Sequence, residues 1–389
     1  AALADRLEVA QHRLDELAVA DLAVRSSLDL TYRGLGAATR SAFSRLGLLR
    51  LRDFPSWALA ALLDVPLTQA ERLLDDLVAA SLVEPAGGSR YRLHDLVRLY
   101  AQEQAAEEPG HARTAALRRL VGAALALAER ADARLSADFL GVSRHRLARW
   151  SLPQAELDRL TAEPMAWFER EHAFLVAVVD DGLDLGVTDL AGCLAASLTT
   201  FFQISNRFED WRRVQSRALA AAERAGDRRT ALKLHRGLGE LDTIQDRYAD
   251  AIAHFEAARA TSTARDPEYE AAVAAGLGYL HRLRGEYEAA LRDFGRARQL
   301  AARIDNINGL VYATSGIGVV HLERGRLTEA AEHFAECLRL SRQAGYLPGE
   351  AQALRCLGHV ARAGREYEVA AARLQAAKEI SERLGDRLG

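Results

Sequence analysis

Apolar residues recur at helical spacing through most of this chain, and in its C-terminal half the pattern repeats about every forty residues. Each repeat contains a glycine, then an alanine 12 residues later, a large apolar residue 16 later and a small residue 19 later. The glycines, spaced 39, 40 and 40 residues apart, are Gly239, Gly278, Gly318 and Gly358. The large residues are Phe255, Phe294, Phe334 and Leu374. Small residues allow two helices to approach closely, so the pattern predicts helical hairpins that stack into a solenoid.

A period near forty is also typical of HEAT and armadillo repeats. The offsets of glycine, alanine and phenylalanine instead resemble those of tetratricopeptide repeats, here with helices longer than the usual unit of about 34 residues allows. Residues 192–227 resemble a degenerate first repeat, because Arg207-Phe208 stands where Arg247-Tyr248 stands later and Ala218 keeps the final alanine. The segment 188–389 is therefore predicted to hold about five tetratricopeptide repeats.

The inner face of such a solenoid is built mainly from the first helix of each hairpin. By the register of the repeat family, the residues expected there are Lys233, Arg236, Glu240, Tyr279, Arg282, Tyr312, Ser315, Arg355, His359 and Arg362. Two interpretations stay open: a groove for a peptide, a protein segment or a small effector, or a solvated helix face that packs on a neighbouring domain. Basic residues outnumber acidic ones in this set, which favours an acidic ligand.

The N-terminal part of the chain has a different pattern. Apolar periodicity predicts four helices after residue 26, and a short β-hairpin then follows around the turn Gly87-Gly88-Ser89. Helices followed by a small hairpin are typical of a winged-helix domain, which we assign to residues 26–108.

The segment between these two regions, 109–187, is predicted to be a helical linker domain. Apolar residues have helical spacing over 111–134 and 164–181, and Pro164 suits a first helical turn. Periodicity is poor over about 136–160, so an irregular connection is expected there.

Charge argues against the DNA binding that is usual for a winged helix. The candidate recognition segment, residues 68–84, contains a single arginine, Arg72, against the acidic residues Glu71, Asp75, Asp76 and Glu84. Duplex DNA is densely anionic, and a helix that reads it normally carries lysine or arginine. The net charge of −3 also gives no general attraction to nucleic acid or to an anionic membrane. Direct binding to either is not expected.

The composition is that of an ordinary globular protein, with 49% apolar and 27% charged residues. Three widely spaced cysteines, Cys193, Cys337 and Cys356, argue against a disulfide scaffold and favour the reducing cytoplasm. No apolar run reaches the roughly 18 residues needed to span a membrane, and no signal peptide is present. Residue 1 is alanine and the only methionine is Met165, so we expect the chain to begin inside a longer protein.

Motifs for enzymatic chemistry are missing from the sequence. There is no G-x-x-x-x-G-K-[ST] phosphate loop, no C-x-x-C, no H-E-x-x-H and no G-x-S-x-G. His281 and His321 share one repeat position, which we interpret as repeat register and not as a metal site. Asp293 and Glu332 are expected to be solvated or paired with a residue four positions away. The chain is predicted not to be an enzyme and to hold no metal or cofactor by itself.

One short motif, Leu93-His94-Asp95, lies where the wing meets the next helix. Judged by residue type alone, Asp95 caps the helix and His94 is incidental. However, the winged helix that leads into this motif, and the segment AWFEREHAFLVAVV from Ala166, resemble the last part of the NB-ARC module of STAND ATPases, in particular the SARP/AfsR-like regulators of actinobacteria. In that family a Met-His-Asp motif closes over bound ADP. The resemblance implies that His94 contacts the β-phosphate, while Asp95 holds the loop and caps the helix, with Leu93 in place of methionine.

The predicted fold is all-α with a small β-wing: a winged-helix domain, a helical linker and a tetratricopeptide-type solenoid, preceded over 1–25 by the end of another helical subdomain. The resemblance implies the regulatory half of a STAND-type transcriptional regulator, one that controls antibiotic biosynthesis. ADP or ATP with magnesium would be held by a phosphate-binding domain outside this chain. The solenoid would bind an effector or partner protein and control homo-oligomerisation. The alternative is a stand-alone adaptor whose groove binds a peptide, with the winged unit as a structural cap.

Overall fold

The computed structural model describes residues 25–135, 147–262 and 267–383. The chain divides into two compact units, the first formed by 25–130 with 147–194 and the second by 131–135 with the described residues from 195 onward. The first unit holds the segment predicted to be a winged helix and most of the predicted linker, and the second holds the repeats. Within the described ranges, no helix is both long and apolar enough to cross a membrane.

The first unit begins with the predicted winged helix. Its elements are α1 (helical over 25–34), α2 (Ala37–Leu46), β1 (Asp53–Pro55), α3 (Ser56–Leu63), α4 (Leu67–Ala79), β2 (Glu84–Gly87), β3 (Arg90–Arg92) and α5 (Asp95–Ala106). The strands form an antiparallel sheet in the order β1-β3-β2, in which Phe54 pairs with Tyr91. The predicted helices and hairpin are confirmed. Strand β1 was not predicted, because its three residues include a proline and show no alternation.

The next elements are α6 (Gly110–Leu135), α7 (Gln154–Leu160), α8 (Pro164–Asp184) and α9 (Thr188–Ser197), and all but the last residues of α6 and α9 belong to the first unit. The expectation of an irregular connection was wrong for α7, a short helix that buries Leu157; residues 136–146 lie outside the described ranges. Helix α8 packs on the winged helix, since Trp57 of α3 meets Phe174 edge to face at 5.5 Å. The buried Glu171 of α8 also pairs with Arg90 of β3.

The second unit is a series of helical hairpins with the predicted register. The pairs are α10 (Thr199–Ile204) with α11 (Phe208–Ala225), α12 (Arg228–Ile244) with α13 (Tyr248–Thr261), α14 (Pro267–Leu283) with α15 (Tyr287–Arg303), α16 (Ile307–Glu323) with α17 (Leu327–Ala344) and α18 (Leu347–Ala363) with α19 (Tyr367–Arg383). The turn between the two helices places one residue in the left-handed region. Glycine occupies it at Gly285 and Gly325, with φ of 74° and 73°, whereas Arg365 occupies it in the last hairpin with φ of 64°.

The repeat glycines make room for the large apolar rings. Phe294 of α15 is fully buried between α14 and α16. A Cβ atom at Gly278 would lie 2.9 Å from this ring, and one at Gly316 would lie 2.5 Å from it. We call this arrangement, one ring held between a glycine of its own hairpin and one of the next, a glycine slot. Phe255 occupies an equivalent slot between Gly239 and Gly276.

The first hairpin has polar residues at the positions that form the glycine slot in the later hairpins. Gln215 occupies the ring position and is completely buried. Its amide nitrogen donates to the Thr199 hydroxyl at 2.8 Å, and its side chain lies against Gly237 of the next hairpin. The predicted degenerate first repeat therefore has the geometry of the later ones.

Candidate functional site

The Leu93-His94-Asp95 motif forms the junction of β3 and α5. Leu93 is completely buried, and its N–H donates to the Arg52 carbonyl at 2.9 Å. His94 is exposed in the extended conformation, and its carbonyl accepts the first hydrogen bond of α5 from Arg98 at 2.8 Å. The anchored leucine thus fixes the backbone, while the imidazole is presented to solvent at a helix N-terminus.

The predicted capping role of Asp95 is wrong. His94 is the N-cap residue, without a side-chain cap bond, and Asp95 is the first residue of α5. The Asp95 carboxylate instead accepts from the Arg52 guanidinium at 3.0 Å, with both side chains more than half exposed. An exposed pair of this kind stabilises a fold by about 0–1 kcal/mol. Asp95 therefore links the start of α5 to the segment before β1. Its negative charge in the first turn also interacts favourably with the helix dipole.

The donors at this junction suit a phosphate. A helix N-terminus leaves backbone N–H groups without intrahelical partners, and phosphates bind to such groups. The exposed His94 imidazole and the Arg52 guanidinium add side-chain donors. These donors could contact one side of a nucleoside diphosphate.

The acidic face predicted for α4 is present beside the wing. Asp75 and Asp76 are exposed, and burial together with the charges of Asp75 and Glu71 raises the pKa of Tyr91 in β3. The carboxylates therefore lie close to the wing, on the helix where a DNA reader needs cations.

A cavity lies on the repeat unit, between α14, α16 and α18. Its volume is about 350 Å³, and its lining is mainly apolar. Of the residues predicted on the inner face, it brings together Tyr279, Arg282, Tyr312, Ser315 and Arg355. Phe294, Val311, Val319 and Tyr346 complete the apolar wall. Half of the predicted inner-face residues thus line one concave site.

The other predicted inner-face residues do not line this cavity. Lys233 is buried, with its ammonium 5.9 Å from the centre of the Tyr269 ring. Arg236 and Glu240 form an ion pair of 3.0 Å on the half-buried face of α12. His359 and Arg362 continue the α18 face beyond Arg355, with His359 half-buried and Arg362 exposed.

The charges at the cavity are unequal. The Arg282 guanidinium lies 4.9 Å from the centre of the Tyr279 ring and pairs with Glu323, so it is largely compensated. Arg355 donates to the side-chain oxygen of Gln352 and has no carboxylate partner among the described residues. Burial raises the pKa of Tyr312 to about 12, so this phenol stays neutral.

Several lining residues were missed by sequence reasoning, namely Asn308, Val311, Val319, Tyr346 and Gln352. Asn308, Tyr312, Ser315 and Val319 follow one another at steps of three or four, so continuing the helical period along α16 would have found them. Which of these positions face a cavity depends on the spacing between hairpins, which the sequence does not give.

Polar pairs recur inside the hairpins at one repeat position. His281 Nδ1 lies 2.8 Å from the Asp293 carboxylate, which corrects the expectation that Asp293 is solvated or paired with a residue four positions away. At the equivalent position His321 stacks on His333, with 5.5 Å between ring centres. Among the described residues, no group of three or more histidine, cysteine or acidic side chains could hold a metal ion.

Comparison with known proteins adds a family relation. The regulatory protein AfsR of Streptomyces griseus is 33% identical, across 92% of this chain and 33% of its own length. The chain resembles the AfsR-like regulators. AfsR of Streptomyces coelicolor is 32% identical, across 87% of this chain and 37% of its own length. The chain spans only about a third of the length of these curated relatives.

The repeats are matched independently. A tetratricopeptide repeat model matches residues 269–343, which cover α14 to α17. Among solved structures, BtubC from P. vanneervenii is 19% identical with a TM-score of 0.48, over 57% of this chain and 94% of its own. The STAND protein PH0952 from Pyrococcus horikoshii, with a tetratricopeptide repeat sensor, is 13% identical with a TM-score of 0.40, over 91% of this chain and 61% of its own.

Proposed function

We propose that this chain is the regulatory part of a STAND-type transcriptional regulator of antibiotic biosynthesis, located in the cytoplasm. The observation that carries the proposal is the Leu93–Asp95 junction, in which a buried leucine holds an exposed histidine at the N-terminus of α5. The likeness to AfsR across most of the chain supports the same assignment. The chain has a regulatory role in this proposal and performs no catalysis of its own.

ADP would be shared between His94 and a phosphate-binding domain outside this chain. Bound ADP would supply the negative charge that the α5 N-terminus and the His94 imidazole attract. A single charge-assisted hydrogen bond contributes about 1.5–3 kcal/mol, whereas micromolar affinity needs about 8 kcal/mol. This chain alone should therefore not retain ADP. His94 would act as one contact that favours the ADP-bound, closed state of the longer protein.

The repeat unit would supply the signal. Its cavity would bind an effector or a partner segment, and the occupied and empty states would differ in their tendency to oligomerise. Binding shifts such an equilibrium only by the difference in affinity for the two states. We propose no direct contact of this chain with DNA, because the α4 face beside the wing is acidic.

The proposal predicts a longer protein that joins this chain to a phosphate-binding domain, and the test uses that protein with and without His94→Ala. Release of a fluorescent ADP analogue should become about tenfold faster in the variant, since one charge-assisted contact is lost. The matched control is His111→Ala, because His111 is also exposed in the first turn of a helix, α6. Equal ADP retention in all three proteins would contradict the proposal.

A further inference from the structure

The cavity between α14, α16 and α18 has the size and lining of a small-molecule site. Sites for drug-sized ligands have volumes of about 300–1,000 Å³ and mostly apolar walls with few polar groups. The volume of about 350 Å³ is at the lower end of that range. A body of one to three rings, or a short acyl chain, suits this space better than an extended peptide does.

Its polar groups are arranged unequally around that apolar body. No carboxylate lies among the described residues that line the cavity. Arg282 is compensated by Glu323, and its guanidinium stacks on Tyr279 as part of the wall. Arg355 donates to the neutral amide of Gln352 and pairs with no carboxylate among the described residues. Of the described residues that line the cavity, Arg355 on α18 is therefore the cation that no acid compensates.

The positive charge continues along α18 beyond the cavity. Arg355, His359 and Arg362 are four and three residues apart, so they share one face of the helix. The His359 Nδ1 is buried and has no hydrogen-bond partner in the described part of the chain. Burial and the neighbouring charges of Arg362 and Arg355 lower the pKa of His359. The charges of the two arginines thus act on His359 in the same direction as its burial.

We propose that this site binds a small amphipathic organic anion, with its apolar ring or chain in the cavity and its carboxylate on Arg355. The proposal rests on the effector-binding role given above to the repeat unit and specifies its ligand class. The anion would complete the charge balance of α18 and, by its proximity, raise the pKa of His359. Charge complementarity at Arg355 and the absence of a lining acid identify this class of ligand.

Two fluorescent probes with a similar apolar body test the proposal on this chain. Anilinonaphthalene sulfonate carries an anionic group and N-phenylnaphthylamine does not. Both should bind at one saturable site, and Arg355→Gln should weaken the sulfonate about tenfold while leaving the neutral probe unchanged. The matched control is Arg339→Gln, because Arg339 is also exposed and donates only to a glutamine, Gln343, but lies outside the cavity lining.

Further variants test the location. Val319→Phe should fill the cavity and reduce the binding of both probes, and Asn308→Phe should do so from another part of the lining if the first variant folds poorly. The sulfonate should also raise the pKa of His359 in an NMR titration. Phenylbutyrate should displace the sulfonate probe from the cavity, because it is itself a small amphipathic anion.

Three outcomes would overturn the assignment. The first is an equal loss of sulfonate affinity in Arg339→Gln and Arg355→Gln, and the second is an equal weakening of both probes by Arg355→Gln. The third is displacement of the sulfonate by an acidic phenylalanine-containing peptide but not by phenylbutyrate. These measurements need no nucleotide. Their failure would leave the ADP proposal standing, and unchanged ADP release in the His94→Ala protein would leave this site standing.

Discussion

Gly316→Ala tests the glycine slot directly. The added Cβ would lie 2.5 Å from the Phe294 ring, whereas carbon atoms pack at about 3.5–4.0 Å. The ring cannot withdraw, because it already packs closely against Gly278 on its other side. An added Cβ at Gly278 would be only 2.9 Å from the ring. Overpacking a core costs about 1–3 kcal/mol, and this overlap places the change at the upper end. Alanine returns about 1 kcal/mol through its helix propensity, so we expect a net loss of about 2 kcal/mol.

Gly295→Ala is the matched control for that change. Gly295 lies within α15 beside Phe294, and apart from its chain neighbours and the backbone of its own helix, a Cβ there would have no described atom within 4 Å. Only the propensity term remains, so stability should rise by up to about 1 kcal/mol. Urea unfolding of the intact chain, followed by circular dichroism, measures both variants. A Gly316→Ala protein as stable as the Gly295→Ala protein would refute the slot.

A second variant separates the slot from a general effect on α16. Phe294→Leu shortens the ring side chain and opens space opposite Gly316. Combined with Gly316→Ala, it should cost less than the sum of the two single changes, with a coupling of about 0.5–3 kcal/mol. Strict additivity would mean that the ring and the glycine do not meet.

Two further predictions concern the turns and two half-buried histidines of the repeats. Arg365→Gly should raise the free energy of unfolding in urea by about 0.5–1 kcal/mol, because a left-handed backbone conformation disfavours residues with a side chain. Gly325→Ala should lower it by about 1 kcal/mol for the same reason. A loss of stability in Arg365→Gly or a gain in Gly325→Ala would refute this account. Burial lowers the pKa of both His235 and His254, whose Nδ1 atoms are 3.0 Å apart. The contribution of this neutral pair to the stability of the fold is therefore present above pH 6.5 and is lost as the pH falls below it, because the unfolded chain then binds protons first. The double variant with glutamine at both positions should therefore lose less stability between pH 7.5 and 5.5 than the parent, and equal losses would contradict the assignment.

The repeat fold was predictable because its information is local and recurs. Spacing alone identified the hairpins and the positions of Gly278 and Phe294. The second glycine of each slot, such as Gly316, was missed because it belongs to the next hairpin and has no meaning until the two are stacked. The inner face was found by register at Tyr312 and Arg355, but the compensation of Arg282 by Glu323 depends on the distance between adjacent repeats.

The winged-helix junction shows a different limit. The junction between strand and helix was located correctly, but residue preference assigned the cap to Asp95. The backbone gives that position to His94, because the helix begins one residue earlier than the preference of aspartate indicates. Asp95 instead meets Arg52, a residue 43 positions earlier in the chain. A contact across that separation depends on the sheet, and strand β1 was itself too short to be predicted.

The glycine slots also bear on how such an array changes in evolution. Each ring belongs to one hairpin and the second glycine that receives it belongs to the next. A duplicated stretch of about forty residues would bring a glycine for the ring before it and a ring for the glycine after it. Tandem duplication or deletion of a whole hairpin thus preserves both interfaces, whereas replacing half a hairpin breaks one. At the interface between the last two hairpins, Cys356 stands in place of the glycine and packs against Phe334, so the ring there is received by a larger residue.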